Sequence, residues 1–279
     1  MTVTRFAPSP TGRLHVGHAY SALFAACAAE DAGGRFLLRI EDIDSGRCRR
    51  EFEDGMYEDL AWLGLAWEQP TRRQSEHMQD YRAVLDRLDE IGVLYPCFCT
   101  RKDIEREVEA AGRAPHGPEG AFYPGTCRAL SVREREELVA AGEPHALRLD
   151  MATAASLAGP LTFTDREYGT IPVDGPGCGD VVLARKDVPT SYHLAVTVDD
   201  AIQGVTLVTR GADLLHATHI HRILQVLLGL PEPEYRHHRL LTGADGKRFT
   251  KRDRSLTIEA LRQAGNNPAE VRAMAGFPD

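Results

Sequence analysis

The chain has 279 residues, of which 43% are hydrophobic and 27% charged, and its formal net charge is -8 at pH 7. This composition is typical of a globular protein that can bury one large core or two smaller ones, and it excludes a disordered chain. The acidic balance argues against a protein that coats nucleic acid without specificity. Because the sequence shows neither a signal-peptide pattern nor 18 consecutive apolar residues, we expect a cytoplasmic protein without a membrane span.

The first elements in chain order predict a parallel sheet. Thr2 to Phe6 forms a short predicted strand, and the loop APSPTGRL that follows contains prolines and a glycine that break regular structure. The alanine-rich stretch from Val16 to Asp31 is a predicted helix that ends at Gly33-Gly34, and RFLLRIEDID is a predicted buried strand with a polar end. These elements form a βαβ unit, whose ligands bind beyond the carboxyl ends of the strands.

The rest of the chain predicts one sheet domain that carries an insertion. Helical patterns cover about 49–63 and 74–91, whereas Tyr95 to Gly179 has an irregular composition rich in glycine and proline. Strand and helix patterns return near Asp180 and lead to a predicted helix over Asp213 to Leu228. The predicted parts are the first half of the sheet domain at 1–95, the insertion at 96–179, the second half at 180–246, and a loop with short helices at 247–279.

Two histidines stand at the start of the first predicted helix. His15 and His18 are three residues apart on one helix face, so both rings would face the same ligand, and Gly17 leaves room for a bulky group. The partial positive charge of a helix N-terminus favours phosphates. Histidines at this position are more often surface or capping residues, but their place directly after a strand and a Pro-Ser-Pro-Thr-Gly loop favours a phosphate site.

A cationic loop forms the second candidate site. The segment KRFTKRDR at 247–254 follows the long helix and concentrates positive charge in a loop. Several cations on a loop are suited to stabilising the charge that develops during phosphoryl or nucleotidyl transfer. A solvated surface loop is the alternative interpretation.

The two segments together resemble the paired signatures of the class I aminoacyl-tRNA synthetases. RFAPSPTGRLHVGHA, RIEDIDSGR and SYHLAVTVDDAIQGVTLVTRGADLL are similar to the glutamyl branch of that family, across nearly the whole chain. The resemblance implies a Rossmann-like parallel-sheet catalytic domain and a ligase that activates L-glutamate with ATP and Mg²⁺. Two residues depart from the second signature, because Arg248 replaces a lysine and Thr250 a serine, whereas Lys251 keeps the lysine expected nearest ATP.

The resemblance also implies a role for individual residues. Six residues would bind ATP: His15, Gly17, His18, Arg248, Thr250 and Lys251. Of these, the two histidines and Lys251 would be catalytic. Glutamate would be bound by Arg5, Phe6, Ala7, Pro8, Ser9, Glu41, Tyr192 and Arg210. A dicarboxylate with one ammonium needs two cations and one anion, and Arg5, Arg210 and Glu41 supply that set, with Glu41 receiving the α-ammonium. Which arginine takes which carboxylate stays open.

Three cysteines form a candidate metal site. Cys97, Cys99 and Cys127 lie within about 30 residues, a pattern that favours zinc over a disulfide scaffold. In the short enzymes that the chain resembles, a tyrosine completes the tetrahedron, and Tyr123 fits that position; His116 is the competing ligand. The alternative is three reduced thiols without metal. An occupied site would be structural and would hold an α+β insertion together.

The C-terminal stretch favours one branch of the family. About 27 residues follow the second signature and predict two short helices separated at 265–268, whereas a full glutamyl-tRNA synthetase would continue with an anticodon-binding region of roughly 100–200 residues. With the Cys/Cys/Tyr/Cys pattern, this resembles the glutamyl-Q tRNA(Asp) synthetases, which implies a monomer that transfers glutamate to queuosine in the anticodon of tRNA(Asp). The alternatives are a truncated glutamyl-tRNA synthetase that charges a tRNA 3′ end and a non-catalytic paralogue that binds glutamate or ATP.

Overall fold

The structure, a computed structural model, describes residues 1–100, 102–105, 116–117, 120–121, 123–241 and 257–278, without the side chains of 116–117 and 120–121. The predicted ATP contacts Arg248, Thr250 and Lys251 lie outside the described residues, and so does the side chain of His116.

Strands and helices alternate along most of the chain. In chain order they are β1 (Val3–Phe6), α1 (Val16–Glu30), β2 (Arg35–Ile40), α2 (Arg50–Trp62), β3 (Glu68–Arg73), α3 (Met78–Glu90), β4 (Leu94–Cys97), β5 (His116–Gly117), β6 (Gly120–Ala121), α4 (Val132–Ala140), β7 (Ala146–Leu149), α5 (Met151–Ala158), β8 (Thr162–Asp165), β9 (Gly169–Pro172), β10 (Val182–Ala184), α6 (Tyr192–Ile202), β11 (Leu207–Gly211), α7 (Leu215–Leu228), β12 (Glu234–His238), α8 (Ile258–Gln263) and α9 (Pro268–Met274). None of the helices within the described ranges is both long and apolar enough to cross a membrane.

The first three strands form the predicted parallel unit. β1 pairs with β2 and β2 with β3, both in parallel, and α1 connects the first two strands. The small alanines on the buried face of α1 let the helix lie close to the sheet. Gly34 is required at the end of this connection, because a Cβ there would collide with a backbone oxygen just before β1.

The second set of strands continues beside the first. Next to β1, the amide of Thr206 donates to the carbonyl oxygen of Val3 at 3.0 Å, just before β11 begins. The pairs of β11 with β12 and of β12 with β8 are parallel, whereas β9 is antiparallel to β8. The predicted α/β fold with a parallel sheet is therefore confirmed. A separate antiparallel sheet has the order β10-β7-β4.

Apolar side chains form buried clusters around the sheets. On one side, α1 and α2 pack with the C-terminal helices α8 and α9 around a cluster that includes Leu14, Leu23, Leu38, Leu60 and Val271. A second cluster joins α3, α5, α6 and α7 through residues such as Tyr81, Ala154, Leu194, and Leu224. Phe6 and Ile40, the last residues of β1 and β2, belong to the first cluster, and Val208 of β11 belongs to a third.

The stretch predicted to be irregular, 95–179, contains regular elements that sequence reasoning missed. These elements are short: β7, β8 and β9 have four residues each, too few for a clear periodic pattern. β8 shares a sheet with β12, and Met151 and Ala154 of α5 are buried in the second core cluster. Part of the predicted insertion therefore packs with the predicted second half. The division at 95, 179 and 246 stays a prediction.

Candidate active site

A cavity of about 280 Å³ lies where β1, β2 and β11 end. All eight residues that the sequence predicts for glutamate line it: Arg5, Phe6, Ala7, Pro8, Ser9, Glu41, Tyr192 and Arg210. These residues come from three strand ends and the start of α6, so the parallel sheet brings them together. Their role as glutamate ligands stays a prediction.

Residues that the sequence did not predict also line this cavity. Ser21, Val196, Thr209 and Leu214 line it. The sequence carries a signal for one of them: Val196 lies four residues after Tyr192 on one helix, and such pairs share a helix face. The Thr209 side chain is only 5% exposed, and its hydroxyl has no partner among the described residues.

Arg5 is already balanced by a carboxylate. Its Nε and Nη2 donate to the two carboxylate oxygens of Asp200 at 2.9 and 3.2 Å, and its Nη1 donates to the carbonyl oxygen of Thr209 at 3.0 Å. Burial would raise the pKa of Asp200, but the guanidinium groups of Arg5 and Arg39 lower it below its usual range. Arg5 thus works chiefly as a buried ion pair that joins β1 to α6.

Arg210 is buried among uncharged groups. Its Nε donates to His237 at 3.0 Å, its Nη1 to the hydroxyl of Tyr192 at 3.3 Å and to His221 at 3.2 Å, and its Nη2 to the hydroxyl of Thr218 at 2.5 Å. Burial, and then the positive charge of Arg210, lower the pKa of both histidines, that of His237 to about 4, so both rings are neutral at pH 7. A buried cation with only uncharged partners in the described structure attracts an anionic ligand.

Glu41 is the acidic residue that lines the first cavity. It follows β2 directly, and its backbone amide donates to the carbonyl oxygen of Pro8 at 3.0 Å. Its carboxylate accepts from Nη2 of Arg39 at 3.1 Å, while 10% of the side chain remains exposed. Burial raises the pKa of Glu41, although Arg39 and Arg5 oppose the rise. A bound ammonium group would stabilise the ionised form.

A second cavity of about 340 Å³ shares a wall with the first and contains the predicted histidine pair. His15, Gly17 and His18 line it. Nδ1 of His15 accepts from the amide of Gly17 at 3.1 Å, and Nδ1 of His18 accepts from the amide of His15 at 3.2 Å, while the two rings stack 3.8 Å apart. Both interpretations of the pair therefore hold structurally, because the histidines cap α1 and also line a cavity. Their role towards ATP stays a prediction.

A third cavity of about 280 Å³ adjoins the first on another side. It shares Ser9, Glu41 and Tyr192 with the first cavity and is also lined by Asp44 and Ser191. Hydrogen bonds, chiefly from Arg47, lower the pKa of Asp44. Ser191 is 8% exposed, and its hydroxyl has no partner among the described residues.

The predicted metal ligands lie together in the structure. The sulfur atoms of Cys97, Cys99 and Cys127 all lie within 4.8 Å of one another. The hydroxyl oxygen of Tyr123 lies 3.6 Å from the Cys99 sulfur and accepts from the Cys127 amide at 2.7 Å. Tetrahedral zinc with bonds of about 2.3 Å to sulfur separates its thiolates by about 3.8 Å, so this donor set fits a metal ion. The backbone of His116 lies in β5, which does not settle the choice between Tyr123 and His116.

The fold is that of the catalytic domain of a class I tRNA synthetase. The sequence matches the family of class I tRNA synthetases for glutamate and glutamine (E and Q), catalytic domain, over residues 1–275. The chain belongs to this family, and it is therefore a ligase.

Individual relatives narrow the comparison. The chain is 47% identical to a glutamyl-Q tRNA(Asp) synthetase from Rhodobacter capsulatus, over 99% of this chain and 100% of that protein. It is 38% identical to a glutamate–tRNA ligase from Aquifex aeolicus, over 95% of this chain and 54% of the relative. The crystal structure of a glutamate tRNA ligase from Elizabethkingia meningosepticum in complex with its amino acid superimposes with a TM-score of 0.78 at 29% identity, covering 90% of this chain. The chain spans about half the length of these two ligases, 54% and 52%.

Proposed function

We propose that the protein activates L-glutamate with ATP to glutamyl-AMP and transfers the glutamate to queuosine in the anticodon of tRNA(Asp). The observation that carries the first part is Arg210, a buried cation with uncharged partners that faces a cavity also lined by Glu41. Such a site complements a ligand that carries both a carboxylate and an ammonium group.

The two arginines would have different roles, because their hydrogen-bond partners differ in charge. Arg210 would take a substrate carboxylate, because its partners in the described structure are uncharged. Arg5 would contribute less binding energy, since Asp200 already occupies two of its nitrogen atoms. Glu41 would receive the α-ammonium. The cavity residues thus supply the charge set that an acidic amino acid needs.

The proposed chemistry is a nucleotidyl transfer. An oxygen of the glutamate α-carboxylate attacks the α-phosphorus of ATP in line, the bond to the β-phosphate oxygen breaks, and pyrophosphate leaves with its electron pair. Mg²⁺ would supply positive charge that stabilises the phosphates. His15 and His18, at the N-terminus of α1, and Lys251 would stabilise the phosphate charge without exchanging protons. The cavity that contains the histidines adjoins the glutamate cavity, which supports this arrangement.

The comparisons support queuosine as the acceptor. The relative named glutamyl-Q tRNA(Asp) synthetase is 47% identical, whereas the glutamate–tRNA ligase from Aquifex aeolicus is 38% identical. The third cavity borders Glu41 and Tyr192, so an acceptor that enters there would reach the activated glutamate. The buried hydroxyl of Ser191 would meet a hydroxylated group in this cavity.

A structural zinc ion completes the proposal. Cys97, Cys99, Cys127 and Tyr123 would hold it, because the three sulfur atoms lie within 4.8 Å of one another and the phenol oxygen lies 3.6 Å from that of Cys99. Zinc in such a closed site would stabilise the local fold and would leave no coordination position for the reaction.

One labelling experiment tests the proposed function. The protein is incubated with radiolabelled glutamate, ATP and tRNA from cells with and without queuosine, and the labelled nucleotide is mapped. We expect label in the anticodon loop of tRNA(Asp), and only in tRNA that contains queuosine. An alkali-labile ester at a 3′ end would instead show a tRNA-charging enzyme. If the protein shows no glutamate-dependent exchange of pyrophosphate into ATP, it is a non-catalytic paralogue.

A further inference from the structure

Asp165 lies at the end of β8, outside every motif of the sequence and outside the lining of the three cavities. Its side chain is fully buried, and one carboxylate oxygen accepts from Nδ1 of His237 at 2.5 Å. The same oxygen accepts from the backbone amide of His237, and the other oxygen accepts from the amides of Glu167 and Tyr168. Each of these four partners donates a hydrogen bond, so the carboxyl group of Asp165 must be ionised.

The hydrogen bond to Asp165 determines which nitrogen of His237 carries the proton. Nε of Arg210 can only donate, so Nε2 of His237 accepts and keeps its lone pair, and the proton of the neutral ring lies on Nδ1, where the carboxylate accepts it. That lone pair faces Nε of Arg210 at 3.0 Å and the hydroxyl of Thr218 at 3.2 Å. A proton on Nε2 would place two donors against each other. The chain of contacts therefore runs from the carboxylate through a neutral ring to the guanidinium.

This arrangement solves a problem that a carboxylate placed directly on Arg210 would create. A directly bound carboxylate would neutralise the guanidinium, as Asp200 does for Arg5, and would compete with an anionic ligand. A neutral acceptor holds the guanidinium plane without cancelling its charge. The other hydrogen bonds of Arg210 hold Nη1 and Nη2, so in the described structure His237 is the side chain that holds Nε.

We propose that Asp165 and His237 are positioning residues that orient Arg210 towards the substrate carboxylate. The inference rests on the proposed binding of glutamate, since it concerns the same site. It assigns a role in substrate binding to a residue of the predicted insertion, which reaches the site because β8 pairs with β12.

The test measures glutamate-dependent exchange of pyrophosphate into ATP in matched variants. In Asp165→Asn, the amide NH₂ faces either His237 or two backbone amides, so the ring adopts the wrong tautomer or the loop shifts. We expect the KM for glutamate to rise about tenfold and the KM for ATP to stay unchanged. Asp174→Asn, which alters a turn aspartate that accepts from the amide of Gly177, is the control and should leave both KM values unchanged.

A double-mutant cycle separates positioning from general stability. His237→Gln can place its amide oxygen where Nε2 lies, so we expect its KM for glutamate within about threefold of the parent, whereas His237→Leu should resemble Asp165→Asn. In the His237→Gln background, Asp165→Asn should have no further effect on KM, because the carboxylate then has no ring to orient. An equal rise in KM in both backgrounds would show that Asp165 only holds its turn and would overturn the inference.

A second measurement does not depend on activity. Nitrogen-15 chemical shifts of the His237 ring at pH 7 should show a neutral ring with its proton on Nδ1 in the parent and a changed tautomer in Asp165→Asn. A proton on Nε2 in the parent would overturn the inference. If the parent shows this tautomer but no glutamate-dependent exchange, the proposed function fails while the orientation of Arg210 stands.

Discussion

Arg5 and Arg210 line one cavity but hold their charges in different ways. Arg5 shares two hydrogen bonds with Asp200, whereas the partners of Arg210 in the described structure are uncharged. A buried ion pair that loses one partner leaves an uncompensated charge, and a ligand-binding cation that is lost leaves an empty pocket. Replacing each arginine by glutamine should therefore affect substrate binding and stability to different extents.

Arg210→Gln should weaken glutamate binding, and Arg5→Gln should weaken the fold. We expect the first change to raise the KM for glutamate on the order of 100-fold, corresponding to about 3 kcal/mol, with a loss of stability of about 1 kcal/mol. We expect the second to lower the free energy of unfolding by about 3 kcal/mol, because Asp200 then keeps only Arg39. Exchange kinetics and urea unfolding of both variants check this. Equal losses of stability would contradict the distinction.

Lys251 tests the second signature, whose residues lie outside the described structure. If its ammonium stabilises the phosphates in the transition state, Lys251→Ala should lower the rate of glutamate activation by about 10²- to 10³-fold, the usual effect of removing one such donor. Pyrophosphate exchange measures the rate. Lys186→Ala serves as the control, because Lys186 donates to the carbonyl oxygen of Phe98 and is not among the residues that line the three cavities. A Lys251→Ala variant as fast as the parent would show that the role is misassigned.

At the scale of elements, α1 shows both the reach and the limit of sequence reasoning. Its alanines and the glycines after it predict the helix within one residue of its observed ends, because helix propensity and termination are local properties. The sequence favours a phosphate site over a capping role for His15 and His18, although both roles suit the same position. In the structure they cap α1 and also line a cavity, while their role towards ATP stays a prediction.

Other elements could not be predicted because their pattern is not local. β8 has four residues, and its alternating burial depends on pairing with β12, about 70 positions later in the chain. The link from Asp165 to Arg210 depends on that same pairing. The residues predicted to bind glutamate, by contrast, follow from the resemblance to family motifs. The parallel sheet then explains why they lie around one cavity.

The cysteine cluster offers a prediction for one element of the fold. If zinc binds, the purified protein should contain about one zinc ion per chain, and Cys99→Ser should lose it, because three sulfur donors then become two. Metal analysis and proteolysis near 97–127 check the result, and Cys27→Ser, at a cysteine outside the cluster, is the control. Protein without zinc but with reduced cysteines would remove the metal site from the proposal.

At the scale of the whole molecule, buried histidines should make the fold sensitive to acid. Burial is the first cause of a lowered pKa in His219, His221, His237 and His238. A lowered folded-state pKa means that the unfolded chain binds more protons, so stability present above about pH 6.5 is lost as the pH falls towards 4. His237, with a pKa of about 4, contributes on the order of 2 kcal/mol of this loss by pH 5. Asp59 acts in the opposite direction, because burial raises its pKa to about 6.

Urea unfolding at pH 7 and pH 5 measures this dependence. We expect a lower free energy of unfolding at pH 5, and a smaller difference between the two pH values in His237→Gln. Equal free energies at both pH values would mean that the buried rings are protonated in the folded state or are balanced by carboxylates.

The central claim is that one cavity binds glutamate through Arg210 and Glu41. Calorimetric titration of the protein with L-glutamate, L-aspartate and L-glutamine tests it most directly. We predict one glutamate site, weaker binding of aspartate by about 1–3 kcal/mol, still weaker binding of glutamine because its uncharged amide would face a buried arginine, and no measurable glutamate binding in Arg210→Gln. Glutamate that fails to bind the parent protein, or that binds Arg210→Gln as tightly as the parent, would contradict the account.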